Sequence, residues 1–111
     1  MNVQELEAFR HVPFLLWVKD EDGRYIWGNN AIDEFAGEPV VGKTDADLRW
    51  ADNAESLRAD DKQVMATGKP MFTNEMVDDS TLGKVTLCVC KYADQLDGKT
   101  HAFGISFVVR G

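Results

Sequence analysis

The side chains able to do chemistry form few constellations in this sequence. Cys88 and Cys90 stand two apart in an apolar run; on a strand they would share one face about 7 Å apart, the wrong separation for a disulfide. A four-ligand zinc site would need His11 and His101 to converge on that strand, and C-x-C is not a zinc-finger spacing. No metal site is expected, and the thiols read as buried and reduced. Asp20-Glu21-Asp22-Gly23 resembles the start of a calcium loop, but its twelfth position is Ala31, where a bidentate Glu is required. Asp61 lies four residues after Leu57 and three before Val64, on the apolar stripe of a helix. A carboxylate there must find donors or shift its pKa. It would either face a pocket and select a cationic or hydroxyl-rich ligand, or bond loop backbone or a Lys and hold the helix in place. Asp60 points about 100° away from it, so the two are no paired acid and base. Ser56, Ser80 and Ser106 have no His and Asp nearby in sequence to form a nucleophilic triad, and neither GxxxxGK[ST] nor GxGxxG occurs. No catalytic residue is expected.

The chain that must position these groups has 111 residues, enough for one core. It is 44% hydrophobic, with three Trp, two Tyr and six Phe, a composition that folds. A net charge of −7 would be repelled by nucleic acid and by anionic lipid, so neither is expected as a partner. No apolar run approaches the roughly 20 residues of a membrane span, and the start MNVQELEAFR has no signal-peptide pattern. A soluble, cytoplasmic domain is expected, although its parent protein could be a membrane receptor.

Hydrophobic periodicity divides the chain. Asn2 and Glu5 form a capping-box pattern, and Val3, Leu6 and Phe9 recur at helical spacing, giving an amphipathic helix within residues 1–12. The Phe14–Val18 run, the turn at Asp20–Gly23 and the Arg24–Trp27 run predict a hairpin. Asn29-Asn30 caps a short helix that Gly37 and Pro39 end; Thr44 and Asp47 open another helical piece to about Trp50. The longest helix runs from Asn53 to the stop at Gly68 and Pro70. Met71–Val77, Lys84–Tyr92 and Ala102–Val109 read as three strands of a meander. The fold class is therefore α+β, a five-stranded antiparallel sheet with short helices on one face and an N-terminal amphipathic helix.

Trp17-Val18-Lys19-Asp20-x-x-Gly23-Arg24-Tyr25-Ile26-Trp27-x-Asn29, then Gly42-Lys43-Thr44-Asp45, Thr67-Gly68-Lys69-Pro70 and Lys91 come in one order and spacing. This pattern resembles a PAS domain over about residues 12–109, with 13–111 as the sensor unit. The resemblance implies a sensory module that binds a small molecule or a partner between sheet and helices, dimerises, and regulates an output domain of the same polypeptide. Two-component histidine kinases and diguanylate cyclases are typical owners. Many relatives close with Asp-Ile-Thr after the last strand, whereas this chain reads Val108-Val109-Arg110-Gly111. Flavin photosensors of the family carry their reactive Cys on the helical side, and haem-binding members take an axial His from the long helix; neither residue stands there in this chain. Haem and flavin are not expected, and no ligand is identified.

Period-2 alternation, in the register the resemblance implies, turns Val85, Leu87, Val89 and Lys91 toward the helices. The small residues Ala102, Gly104 and Ser106 leave room on the last strand, Ser106 matching the position that faces the cofactor in flavin-binding relatives. The ligand pocket is then expected from Trp17, Phe35, Leu48, Trp50, Leu57, Asp61, Val64, Met65, Leu87, Val89 and Ser106. The same residues would also serve a filled core, and both readings stand. Thr86, Cys88, Cys90 and Tyr92 face the other way. A homodimer is expected there, with Val3, Leu6, Phe9, Cys88 and Cys90 in its interface. Alternatives are a dimerisation module without ligand, or a small cone-shaped enzyme of the ketosteroid isomerase type.

Overall fold

The computed structural model describes residues 1–80 and 82–110; Gly111, the end of the junction noted above, lies outside them. The chain opens with α1 (Val3–Leu6), capped reciprocally by Asn2 and Glu5 and continued by a 3-10 turn at Glu7–Phe9. Strands β1 (Leu15–Lys19) and β2 (Tyr25–Gly28) form the expected hairpin. Then come α2 (Asn30–Ala36), two 3-10 turns at Asp45–Asp47 and Ala51–Asn53, and α3 (Ala54–Thr67). The meander is β3 (Met71–Asp79), β4 (Gly83–Leu96) and β5 (Lys99–Arg110).

The five strands form one antiparallel sheet in the order β2-β1-β5-β4-β3. The first hairpin therefore docks against the last strand, and the helices carry the chain from one sheet edge to the other. Because both faces of β1 are covered, all five of its residues are buried. Leu15 and Trp17 point to the helical side, while Leu16 and Val18 point to the outer side with Trp27, Leu96 and Phe103.

Three expectations of local structure change. The helix expected near Asp45–Trp50 is two separate 3-10 turns with Leu48 extended between them, although Leu48 and Trp50 are both buried. Between the strands expected at Lys84–Tyr92 and Ala102–Val109 the connection is only a two-residue hairpin at Asp97-Gly98, both at positive φ (51° and 82°), the geometry that Asp-Gly sequences favour. Strands β4 and β5 are longer as a result.

Leu6 is 1% exposed and packs on the outer sheet face of its own chain. It cannot sit at the centre of a dimer, because one apolar contact surface serves only one partner. Val3 and Phe9 remain exposed. The thiols are free but not buried as expected: Cys88 is exposed and Cys90 half-buried, since among the described residues no element covers the outer face of β4 at that point.

Candidate functional site

Between α3 and the sheet the apolar core meets a buried cluster of charge. Lys19 follows Trp17 by two residues on β1, so the pleat turns it to the helical side. Lys91 reaches the same side from β4, two residues after Val89. Asp61 comes from the buried stripe of α3, with Leu57 and Val64. Asp45 begins the first 3-10 turn; Tyr25 N–H donates to Lys43 O and Gly42 N–H to Tyr25 O, which holds this loop against β2.

Lys19 Nζ donates to Asp45 Oδ2 at 2.6 Å and to Asp61 Oδ2 at 2.7 Å. Lys91 Nζ stands 3.2 Å from Asp61 Oδ1 and donates to Leu57 O at 3.3 Å. The second oxygen of Asp45 accepts from Tyr25 Oη at 2.7 Å and Trp50 Nε1 at 2.8 Å. Lys19 Nζ also lies 4.9 Å from the Tyr25 ring centroid. All four charged residues are at most 5% exposed. Two cations and two anions cancel, which is how such groups tolerate burial. Burial pushes the Asp45 carboxyl up, but Lys19, Tyr25 and Trp50 outweigh it and hold the carboxyl below its ordinary value. Burial likewise pulls Lys19 down, and Asp61 and Asp45 more than offset it, so Lys19 binds its proton more tightly than usual. Tyr25 is held well above the ordinary phenol value, first by burial and then by Asp45.

Beside this quartet is a cavity of about 30 Å³, room for one or two waters. Of the expected pocket residues, Trp17, Phe35, Trp50, Leu57, Leu87 and Val89 line it. Lys19, Tyr25, Lys91 and the half-buried Glu75 also line it; of these the sequence turns only Lys91 toward the helices, without placing it in the pocket. Leu48 and Val64 are buried but do not reach it. Met65 is half-buried in a cleft with Asp20 and Ile26, on the wrong side of α3. Asp61 faces the protein's own lysines rather than open pocket space, so the cations that answer its charge are internal. Ser106 is fully buried between Leu15 and Val89 in register, and its Oγ has no hydrogen-bond partner among the described residues.

The room expected above Ala102, Gly104 and Ser106 is taken by an indole. A Cβ at Gly104 would lie 2.1 Å from Trp17 Cε2, so Gly104 is the notch that receives Trp17. Asn29 positions α2: its Oδ1 accepts from Leu16 N and Ile32 N, and its Nδ2 donates to Phe9 O and Phe14 O. Among the described residues, no three His, Cys, Asp or Glu side chains gather as a metal-ligand set, and no helix is long and apolar enough to cross a membrane.

The PAS fold family matches residues 9–110. The chain belongs to the PAS family. A comparison with curated proteins finds no match. Among solved structures, this PAS domain is similar to the phage VqmA–DPO complex, with a TM-score of 0.85 and 20% identity, covering 96% of this chain and 51% of that one. It is similar to VqmA of Vibrio cholerae in complex with ligand and DNA, with a TM-score of 0.83 and 17% identity over 97% of this chain and 51% of that one. The PAS domain of an HTR-like protein from Haloarcula marismortui gives 0.77 and 18% over 96% and 90%. At these identities the likeness is one of fold. The chain spans about half the length of the VqmA chains.

The exclusion of nucleic acid drawn from net charge is withdrawn, because a protein carrying a domain of this fold is solved on DNA. The charge of a sensor domain limits what its own surface binds and says nothing of the remainder of a longer chain. What family membership establishes is a sensory signalling module of the PAS kind.

Proposed function

We propose that this PAS domain senses a small molecule bound between α3 and the sheet, and regulates a cytoplasmic output carried by the same polypeptide. The observation that carries the reading is a cavity of aromatic and aliphatic walls that ends on two buried ammonium groups. Apolar pockets with a few convergent polar groups are the usual form of a ligand site. The domain itself performs no catalysis in this reading; ligand occupancy moves α3, whose charged ties to β1 and β4 run through Asp61. Histidine kinase and diguanylate cyclase outputs remain candidates, and the VqmA complex adds a DNA-bound one.

Thermal melts of the domain against a fractionated metabolite extract test this. A fraction that raises Tm for the wild type but not for Val89→Leu, which fills the cavity, supports the reading. Equal stabilisation of both proteins, or none by any fraction, would overturn it.

A second reading, self-association through the outer sheet face, is favoured by one observation. Phe72, Met76 and Phe107 are 74%, 61% and 51% exposed on the face that also carries Cys88 and Cys90. Sedimentation of the wild type beside Phe72→Glu tests it; a monomer at high micromolar concentration refutes it.

A further inference from the structure

Two buried lysines at the end of a pocket suggest an anion site, yet the charges surrounding them point elsewhere. Lys19 and Lys91 are matched one for one by Asp45 and Asp61, at separations of 2.6 to 3.2 Å. Glu75, which accepts from Thr73 Oγ1 at 3.0 Å, also lines the cavity; it is half-buried, where water screens its charge, and it brings no further cation. An entering carboxylate or phosphate would have no uncompensated cation to meet, and desolvating it there is unfavourable.

The quartet does retain unused hydrogen-bonding capacity, and it lies at Lys91. An ammonium has three donors. Those of Lys19 meet two carboxylates at short range, whereas the contacts of Lys91 are long, 3.2 Å to Asp61 Oδ1 and 3.3 Å to Leu57 O. Leu57 lies inside α3, where the helical ladder already gives its carbonyl a partner four residues on. Lys91 can therefore leave that carbonyl without orphaning it. Trp17, Tyr25, Phe35 and Trp50 line the space with aromatic rings.

We infer that the ligand is an uncharged flat ring whose hydrogen-bond acceptor replaces the Leu57 carbonyl on Lys91 Nζ. The inference rests on the ligand-sensing reading above and adds its charge class and its anchor. It also supplies a route for the signal. A cavity of about 30 Å³ is far below the roughly 150 Å³ that accepts benzene, so a ring enters only as α3 parts from β4. Exchange at Lys91 releases one of the ties between those elements.

Four probes of one shape separate the possibilities: benzamide is neutral with an acceptor, benzoate an anion, benzamidine a cation without an acceptor, and toluene has neither. Methyl NMR of the whole chain would follow Leu57, Leu87 and Val89 during each titration. The expected result is that benzamide binds at least about tenfold more tightly than each of the others. In Lys91→Met the advantage of benzamide over toluene disappears and benzamidine tightens, because Asp61 then shares Lys19 with Asp45 and negative charge is in excess. Benzoate or benzamidine as the tightest probe, or toluene equal to benzamide in the wild type, overturns the inference while leaving a ligand cavity in place. If none of the four moves those methyls at about 10 mM, the inference fails, and the melts of the wild type against Val89→Leu decide the sensing reading separately. The wild-type order decides the matter even if Lys91→Met does not fold.

Discussion

Replacing Lys19 with Met keeps much of the side chain's length and apolar stem but removes the cation between Asp45 and Asp61. Both carboxylates are nearly sealed from water, so they cannot recover the lost interaction by hydration. Breaking one partner out of a buried ion pair costs about 3–5 kcal/mol. Set against the roughly 5–15 kcal/mol available to a domain of this size, that is a large share of its stability. At about 4 °C per kcal/mol, Tm should fall by about 12–20 °C. Adding Asp61→Asn restores charge balance with Lys91 and Asp45, and the double variant should lose at least about 1 kcal/mol less than the sum of the singles.

The pH dependence has a definite sign. In the wild type the depressed Asp45 carboxyl contributes stability above the ordinary aspartate value, and that contribution is lost as pH falls through the folded pKa. The raised Lys19 contributes below the ordinary lysine value and is lost as pH rises through its folded pKa. Without Lys19, burial pushes the Asp45 carboxyl upward, and the variant is relieved by protonation. The gap between wild type and Lys19→Met should therefore narrow below about pH 4. Urea unfolding monitored by tryptophan fluorescence at several pH values measures this. A loss under about 1 kcal/mol at pH 7, or a gap independent of pH, would refute the account of a sealed, mutually compensating quartet.

Other outcomes follow from single contacts. Gly104→Ala should cost about 1–3 kcal/mol by driving a methyl into Trp17, and Trp17→Leu should relieve that penalty, which chemical denaturation of the two singles and the double would measure. Ser106→Ala should leave calorimetric Tm unchanged or raise it, by up to about 1 kcal/mol of stability, because the hydroxyl it removes is buried and has no partner among the described residues. Leu6→Ala should cost about 2–4 kcal/mol in denaturant unfolding of the monomer, as expected of a core residue. Val3→Ala, on the exposed side of α1, should stay within about 0.5 kcal/mol.

The sheet and its helices were legible in sequence because their cues are local. Asn29 caps α2 as the Asn-Asn pair suggests, and alternation puts Val85, Leu87, Val89 and Lys91 on one face, which the register of the PAS resemblance turns inward. The ionic quartet was not assembled in advance because its members come from four separate elements and each looks ordinary at its own position. Lys19 precedes a turn, where a lysine is normally solvated, and Asp45 sits in a loop motif. A cue was nevertheless present: two lysines at inward strand positions and one aspartate on an apolar helical stripe imply that they meet. The open floor expected over Gly104 failed for a different reason. Small residues on a strand leave space only if nothing opposite fills it, and alternation says nothing about where the Trp17 ring lies. The association surface assigned to Leu6 failed likewise, because an amphipathic helix shows which face is apolar but not whether its own sheet covers that face.

Amide hydrogen exchange, compared with and without the metabolite that stabilises the domain, tests the central claim most directly. If the ligand enters between α3 and the sheet, exchange should change along Ala54–Thr67 and Gly83–Leu96, the elements joined by Lys91 and Asp61. The same changes should be absent in the cavity-filled Val89→Leu variant. Changes confined to α1 and the outer-face positions of β3, with α3 and its partner strand unaltered, would contradict ligand sensing at this site.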